Sequence, residues 1–159
     1  IEYRPRHCGT IIFYRISGSR PGNEKTDVRC TAFMISGIGT DLVHIPRIAE
    51  MLNKYGDKAA QRILDDSEFE QFQKNQQPAA FLAKRFAAKE ATAKALGTGF
   101  RDGLSLQHIA VRNNSLGKPE LVFNHYAEQL LSEKNIQTAM LSLSDDGDYA
   151  TAYVVLVEG

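Results

Sequence analysis

The chain has 159 residues, with 19 Lys plus Arg set against 19 Asp plus Glu, 43% hydrophobic residues and 24% charged ones. That length suits about one domain, and the cancelled charge offers no protein-wide field to recruit nucleic acid or an anionic membrane. No apolar run approaches the roughly 18 residues of a membrane span, so the expectation is a soluble, folded chain with no nucleic acid and no membrane among its partners.

Residues 1–33 differ from the rest. Their formal charge is +3 and that of the remainder is −3. The apolar stretch Ile11 to Tyr14 is too short for a secretory segment of roughly 7 to 15 residues, and Ser17 to Asn23 are loop formers with little to bury. This segment is expected to be a non-native or disordered N-terminal extension, with Met34 the start of the domain at 34–159; a native β-ribbon or partner-binding arm is the other possibility. Both cysteines, Cys8 and Cys30, lie in the extension at no disulfide-framework or zinc spacing.

From Phe33 to Gly39 a short apolar run predicts a strand that ends at Gly37 to Asp41 and delivers a carboxylate at its tip. Ile45, Ile48, Ala49 and Leu52 recur at helical spacing, predicting a helix over about 43–55 with Gly56 as its stop. Ser67 with Glu70 reads as a capping box opening a short helix toward Lys74, interrupted at Asn75 to Pro78. The strongest helical signal is Ala79 to Leu96, rich in Ala, Lys, Glu and Leu and closed by Gly97-Thr98-Gly99. Strands are predicted at Ile109 to Arg112, Glu120 to Phe123, Ala139 to Ser144 and Tyr149 to Val157, with a helix at about 125–134. The sequence has no internal repeat. The fold class is α+β, helices packed on one face of an antiparallel sheet.

Within the long helix, Phe86, Glu90 and Lys94 are spaced four apart and share a face. Glu90 is the only acid there against Lys84, Arg85, Lys89 and Lys94, leaving the helix at +3. Glu90 and Lys94 can be an ordinary solvated pair. Alternatively, a basic helix ending in a glycine turn can hold phosphate, with the lone carboxylate as ligand for Mg²⁺ bridging to it. Asp41, behind two glycines, is the natural second ligand, or the N-cap of the first helix. Gly37-x-Gly39 is no dinucleotide fingerprint, because Leu42 stands where the third glycine belongs. Gly117-Lys118-Pro119 is a turn with a projecting ammonium. Asp145, Asp146 and Asp148 form an acidic turn, read first as a solvated hairpin tip.

The ordered pieces Met34-Ile-Ser-Gly-Ile-Gly-Thr-Asp-Leu42, Arg62-Ile-Leu-Asp-Asp-Ser-Glu-Phe69, Phe81-Leu-Ala-Lys-Arg-Phe-Ala-Ala-Lys-Glu-Ala91, Lys94-Ala-Leu-Gly-Thr-Gly99, Leu116-Gly-Lys-Pro119, Leu141-Ser-Leu-Ser144 and Tyr149-Ala-Thr-Ala152 resemble the small single-copy 4′-phosphopantetheinyl transferases, the bacterial holo-acyl-carrier-protein synthases. The resemblance covers residues 34–159. It implies a single-copy subunit of the 4′-phosphopantetheinyl transferase fold that moves the phosphopantetheine arm of coenzyme A to a serine of apo acyl carrier protein, leaving 3′,5′-ADP. It implies Asp41 and Glu90 as the Mg²⁺ carboxylates and Lys94 as the cation near the pyrophosphate. Arg85, Gly97, Thr98, Gly99, Gly117, Lys118 and Pro119 would line the nucleotide, and Arg47, Met51 and Lys54 would dock the carrier. It further implies a cytoplasmic homotrimer in fatty acid biosynthesis, with each site shared between neighbouring chains. Asp145 stands where many members carry histidine, so activation of the serine falls to a metal-bound water or to a carboxylate such as Asp41. The alternative is a catalytically inactive carrier-protein binding module of the same fold.

Overall fold

The structure is a computed structural model that describes residues 34–159; the expected extension at 1–33, with both cysteines, lies outside the described residues. The element order is β1 (Met34–His44), α1 (Ile45–Tyr55), α2 (Asp57–Ile63), α3 (Asp66–Gln73), α4 (Pro78–Leu96), β2 (Ile109–Asn113), β3 (Pro119–Phe123), α5 (Tyr126–Glu133), β4 (Ile136–Asp146) and β5 (Tyr149–Glu158). β1, β5 and β4 form an antiparallel sheet in that order, and β2 pairs with β3 as a separate hairpin. This is the α+β arrangement expected from the sequence.

The sheet alternates as a half-buried sheet should. Ala150, Ala152, Val154 and Leu156 of β5 point inward and are essentially inaccessible, whereas Tyr149 and Tyr153 point out. α4 packs across the inner face of β1 and β5. It starts at Pro78, where a missing N–H costs nothing, and stops at Gly97, whose φ of 72° is the left-handed cap that glycine adopts most cheaply. Between those ends it is buried on nearly every side, with Phe81, Leu82, Ala83, Ala87, Ala88, Ala91, Ala93, Ala95 and Leu96 all in the core.

How close β1 comes to α4 depends on two glycines. A Cβ on Gly37 would collide with the carbonyl oxygen of Ala95, and one on Gly39 would collide with that of Ala91 and lie 2.7 Å from the Ala95 nitrogen. No side chain fits there, and the helix offers only alanines at the contact. The strand lies against the helix backbone as a result.

Three expectations are corrected. β1 does not end at Gly37 to Asp41: pairing with β5 continues to His44, so Asp41 sits mid-strand opposite Ala152. The N-cap of α1 is therefore His44, and the capping role considered for Asp41 does not arise. The capping box of α3 is Asp65 with Glu68, two residues before the Ser67 and Glu70 pair: Asp65 Oδ1 accepts from the Glu68 N–H at 2.8 Å, and Glu68 Oε2 accepts from the Asp65 N–H at 3.1 Å. Both pairs fit the pattern, and the first prevails because the Glu68 carboxylate also finds buried donors. Gly56, with φ 59°, stops α1 as expected, and a helix that was not foreseen, α2, starts directly after it at Asp57.

Gly39→Ala should lower the free energy of unfolding by about 1–3 kcal/mol, the usual cost of forcing atoms into a packed interior. A urea titration measures it, and an unchanged midpoint would mean that β1 can move off α4 freely.

Candidate active site

The glycine contact determines what lies beside Asp41. Glu90 and Lys94 are one turn apart on the face of α4 next to the Ala91 and Ala95 contact, so a strand laid there carries Asp41 to them. Lys94 Nζ donates to Asp41 Oδ1 at 2.7 Å and to the Thr40 carbonyl at 2.9 Å. Thr40 Oγ1 donates to the Ala152 carbonyl at 3.1 Å and Thr151 Oγ1 to the Asp41 carbonyl at 2.9 Å, pinning the strand at this level.

Burial, and then the neighbouring charge of Asp41, push the Glu90 carboxyl above its ordinary range, while Lys94 pulls the other way. Two carboxylates against one ammonium leave the site one positive charge short. Such a pair suits a hard divalent cation, which needs one or two carboxylates and completes its shell with water and phosphate oxygens. Among the described residues no group of three or more His, Cys, Asp or Glu side chains is placed to hold a metal. A cation here would therefore need ligand oxygens from a bound phosphate or water, and the residues fit Mg²⁺ in that way.

The carboxylates open into a cleft of about 450 Å³ whose walls include His44, Arg47, Met51 and Phe86. The site thus unites Asp41, Glu90, Arg47 and Met51, with Lys94 tied to Asp41. Phe86 shared the helical stripe of Glu90 and Lys94 in the sequence, a signal that could have placed it in the wall. For His44 there was no such signal, because its position depends on β1 running past Asp41. Lys54 stays exposed on α1 with its ammonium 5.0 Å above the ring of Tyr55 and is not in this cleft.

The remaining expected residues lie elsewhere in the chain. Gly97, Thr98 and Gly99 form the exit from α4, where Thr98 Oγ1 is buried without a hydrogen-bond partner. Gly117, Lys118 and Pro119 make the exposed end of the β2–β3 hairpin, where Asn114 Oδ1 accepts from the Leu116 and Lys118 N–H groups at 2.9 and 3.1 Å. Arg85 is buried, its Nε 3.6 Å from Glu68 Oε1 and its guanidinium 4.5 Å over the ring of Phe81. The helix expected to present a free basic surface does not: Lys89 and Arg85 face Glu68 inside, Lys84 pairs with Asp145 at 2.9 Å, and Lys94 pairs with Asp41.

The chain matches the family model of the 4′-phosphopantetheinyl transferase superfamily over residues 37–154. It is 50% identical over 123 residues to the holo-[acyl-carrier-protein] synthase of Nitrosospira multiformis, a match covering 77% of this chain and 98% of that one. In structure it is similar to the holo-[acyl-carrier-protein] synthase of Neisseria meningitidis, with a TM-score of 0.74 at 44% identity over 77% of this chain and 98% of the other. It is also similar to the holo-(acyl-carrier-protein) synthase of Bacillus anthracis in complex with CoA (3′,5′-ADP), with a TM-score of 0.67 at 37% identity over 79% and 99% of the two chains.

The raised Glu90 carboxyl has a consequence for stability. Below the ordinary glutamate range both folded and unfolded chains hold the proton and Glu90 costs nothing; as pH rises the unfolded chain ionises first, so stability falls until the folded carboxyl ionises too. Glu90→Gln, which cannot ionise, should therefore melt at a higher temperature than the parent at neutral pH in chelator. The advantage should vanish below about pH 4, and thermal melts across pH check it; a variant less stable at neutral pH would show that the fold does not disfavour the ionised Glu90 carboxylate.

Proposed function

Since the chain belongs to the 4′-phosphopantetheinyl transferase superfamily as a holo-[acyl-carrier-protein] synthase, we propose how its own residues share the transfer of the 4′-phosphopantetheine arm from coenzyme A to apo acyl carrier protein. The serine oxygen of the carrier forms a bond to the phosphorus bearing the pantetheine arm as its proton passes to a base, a carboxylate such as Asp41 or a water beside it. The bond from that phosphorus to the bridging oxygen breaks, and 3′,5′-ADP leaves. Asp41 and Glu90 would hold Mg²⁺, which when bound offsets charge on the transferring phosphoryl group.

The observation that carries this reading is the single cleft bearing Asp41 and Glu90 at one part of its wall and Arg47 and Met51 of α1 at another. A carrier docked on α1 through Arg47 and the apolar Met51, with Lys54 adding charge further along the helix, outside the cleft, would have its serine beside the carboxylates. Lys94 supplies a cation at the same end, and on arrival of the pyrophosphate it exchanges the Asp41 carboxylate for phosphate oxygens. Positioning and charge compensation are the main work in phosphoryl transfer, and these residues contribute to both.

The assembly proposed is a homotrimer. Within one chain Arg85, Gly97 to Gly99 and Gly117 to Pro119 do not line this cleft, which suits a nucleotide pocket completed by a neighbouring copy. The outer sheet face supports such a contact: Ile38 and Leu42 of β1, Met140 of β4 and Tyr153 of β5 all point outward and are about half exposed or more. Fatty acid biosynthesis and a cytoplasmic location follow from the reaction; no helix among the described residues is long and apolar enough to cross a membrane.

Intact-mass spectrometry of apo acyl carrier protein incubated with the chain and coenzyme A should show one phosphopantetheine added with Mg²⁺ and none with chelator. Asp41→Asn and Glu90→Gln should each abolish the metal-dependent addition, and near-normal turnover at saturating Mg²⁺ would take that residue out of the site. Arg47→Glu should raise KM for the carrier about tenfold or more through like-charge repulsion while leaving coenzyme A affinity intact. Equal loss of both would mean that α1 is not the docking surface.

A further inference from the structure

α4 is lined by small side chains where it meets the sheet. Ala91 and Ala95 lie against β1, and Ala83, Ala87, Ala88 and Ala93 are buried as well; methyl groups set how closely the helix approaches more than the angle to which it is turned. Glu90 and Lys94 must nevertheless point at Asp41. Besides the bonds of Lys94 itself, the directional contacts of this helix lie on an adjacent face.

Glu68 of α3 is wholly buried, and its carboxylate ties α3 to α4 and β2. Oε2 accepts from Lys89 Nζ at 2.6 Å and from the Asp65 N–H at 3.1 Å; Oε1 accepts from the Val111 N–H of β2 at 2.9 Å. Arg85 Nε lies 3.6 Å from Oε1. Lys89, also wholly buried, donates a second bond at 2.6 Å to the carbonyl of Ile63, the last residue of α2. Arg85 and Lys89 are four apart and share a face, and Glu90 projects about 100° further round the helix.

We infer that Glu68, through Lys89 and Arg85, is the positioning residue that sets the rotation of α4 and so aims Glu90 and Lys94 at Asp41. Two cations face one carboxylate in the interior, and burial lowers the proton affinity of both while Glu68 raises it. Hydrophobic side chains of the same size would hold helices together at less cost; what they would not supply is direction. The inference rests on Glu90 being a metal ligand.

The test measures Mn²⁺ affinity of the full chain by electron paramagnetic resonance with coenzyme A present, alongside the Mg²⁺ midpoint of transfer and the carrier KM. Glu68→Gln should weaken Mn²⁺ binding and raise the Mg²⁺ midpoint about tenfold, as losses of outer supporting partners do, with the carrier KM unchanged. Should that variant fail to fold, Glu68→Gln with Lys89→Met removes both charges; it should recover the melting temperature but not the Mn²⁺ affinity. Glu90→Gln is the control. If it weakens Mn²⁺ binding while a folded Glu68 variant binds Mn²⁺ like the parent, the positioning role is wrong and the metal assignment stands. If Glu90→Gln also leaves Mn²⁺ binding unchanged, both fall.

Discussion

The contact between β1 and α4 is the constraint from which the site follows. Gly37 and Gly39 face the carbonyl oxygens of Ala95 and Ala91 with no room for a Cβ. Sheet and helix usually keep a side-chain layer between them. Here the layer is missing for two residues of the strand, and the next inward-facing residue is Asp41. A carboxylate has a short side chain, and only this approach brings it within 2.7 Å of Lys94 on the helix. The same contact fixes which turn of α4 meets which residue of β1, because Ala91 and Ala95 bracket the level at which Glu90 and Lys94 project.

Burying Glu90 beside Asp41 opposes folding mildly, since burial and then the Asp41 charge disfavour its ionised form. Lys94 offsets part of this. In the proposed function this deficit is the source of the site's chemistry: a divalent cation would be drawn in by charge that the fold has not neutralised, and a phosphate-bearing ligand would supply the oxygens that the protein omits. A third carboxylate would have bound metal more tightly and left fewer positions for substrate.

Much of this was legible from local sequence. The helix from Ala79 to Leu96, its glycine stop, the hairpin strands and the stripe of Phe86, Glu90 and Lys94 are each determined within a few residues, and the structure has them. Asp41 was identified for its chemistry but misplaced on the strand. Gly37-x-Gly39 resembled the end of a strand because glycine commonly marks one, whereas its role is close approach to a helix more than 50 residues later. Glu68 was passed over altogether: its partners Lys89 and Val111 lie 21 and 43 residues away, and nothing within its own turn distinguishes it from the exposed acids Asp66 and Glu70.

α4 itself explains why periodicity could not reveal the division. An amphipathic helix separates one apolar face from one polar face, and its pattern then reports which side is buried. α4 instead has three working faces. The alanines meet the sheet, Arg85 and Lys89 reach Glu68 in the interior, and Phe86, Glu90 and Lys94 border the cleft. Its lysines are divided between interior and surface, Lys89 buried and Lys84 and Lys94 in partly exposed pairs, so charge in the sequence does not mark the surface. The +3 excess suggested a phosphate-binding patch, yet only Lys94 stands at the site, and it arrives already paired. A helix whose cations are taken up by acids of the same chain, Glu68 inside and Asp145 at the surface, can be strongly basic in composition and still bring only one of them beside Asp41.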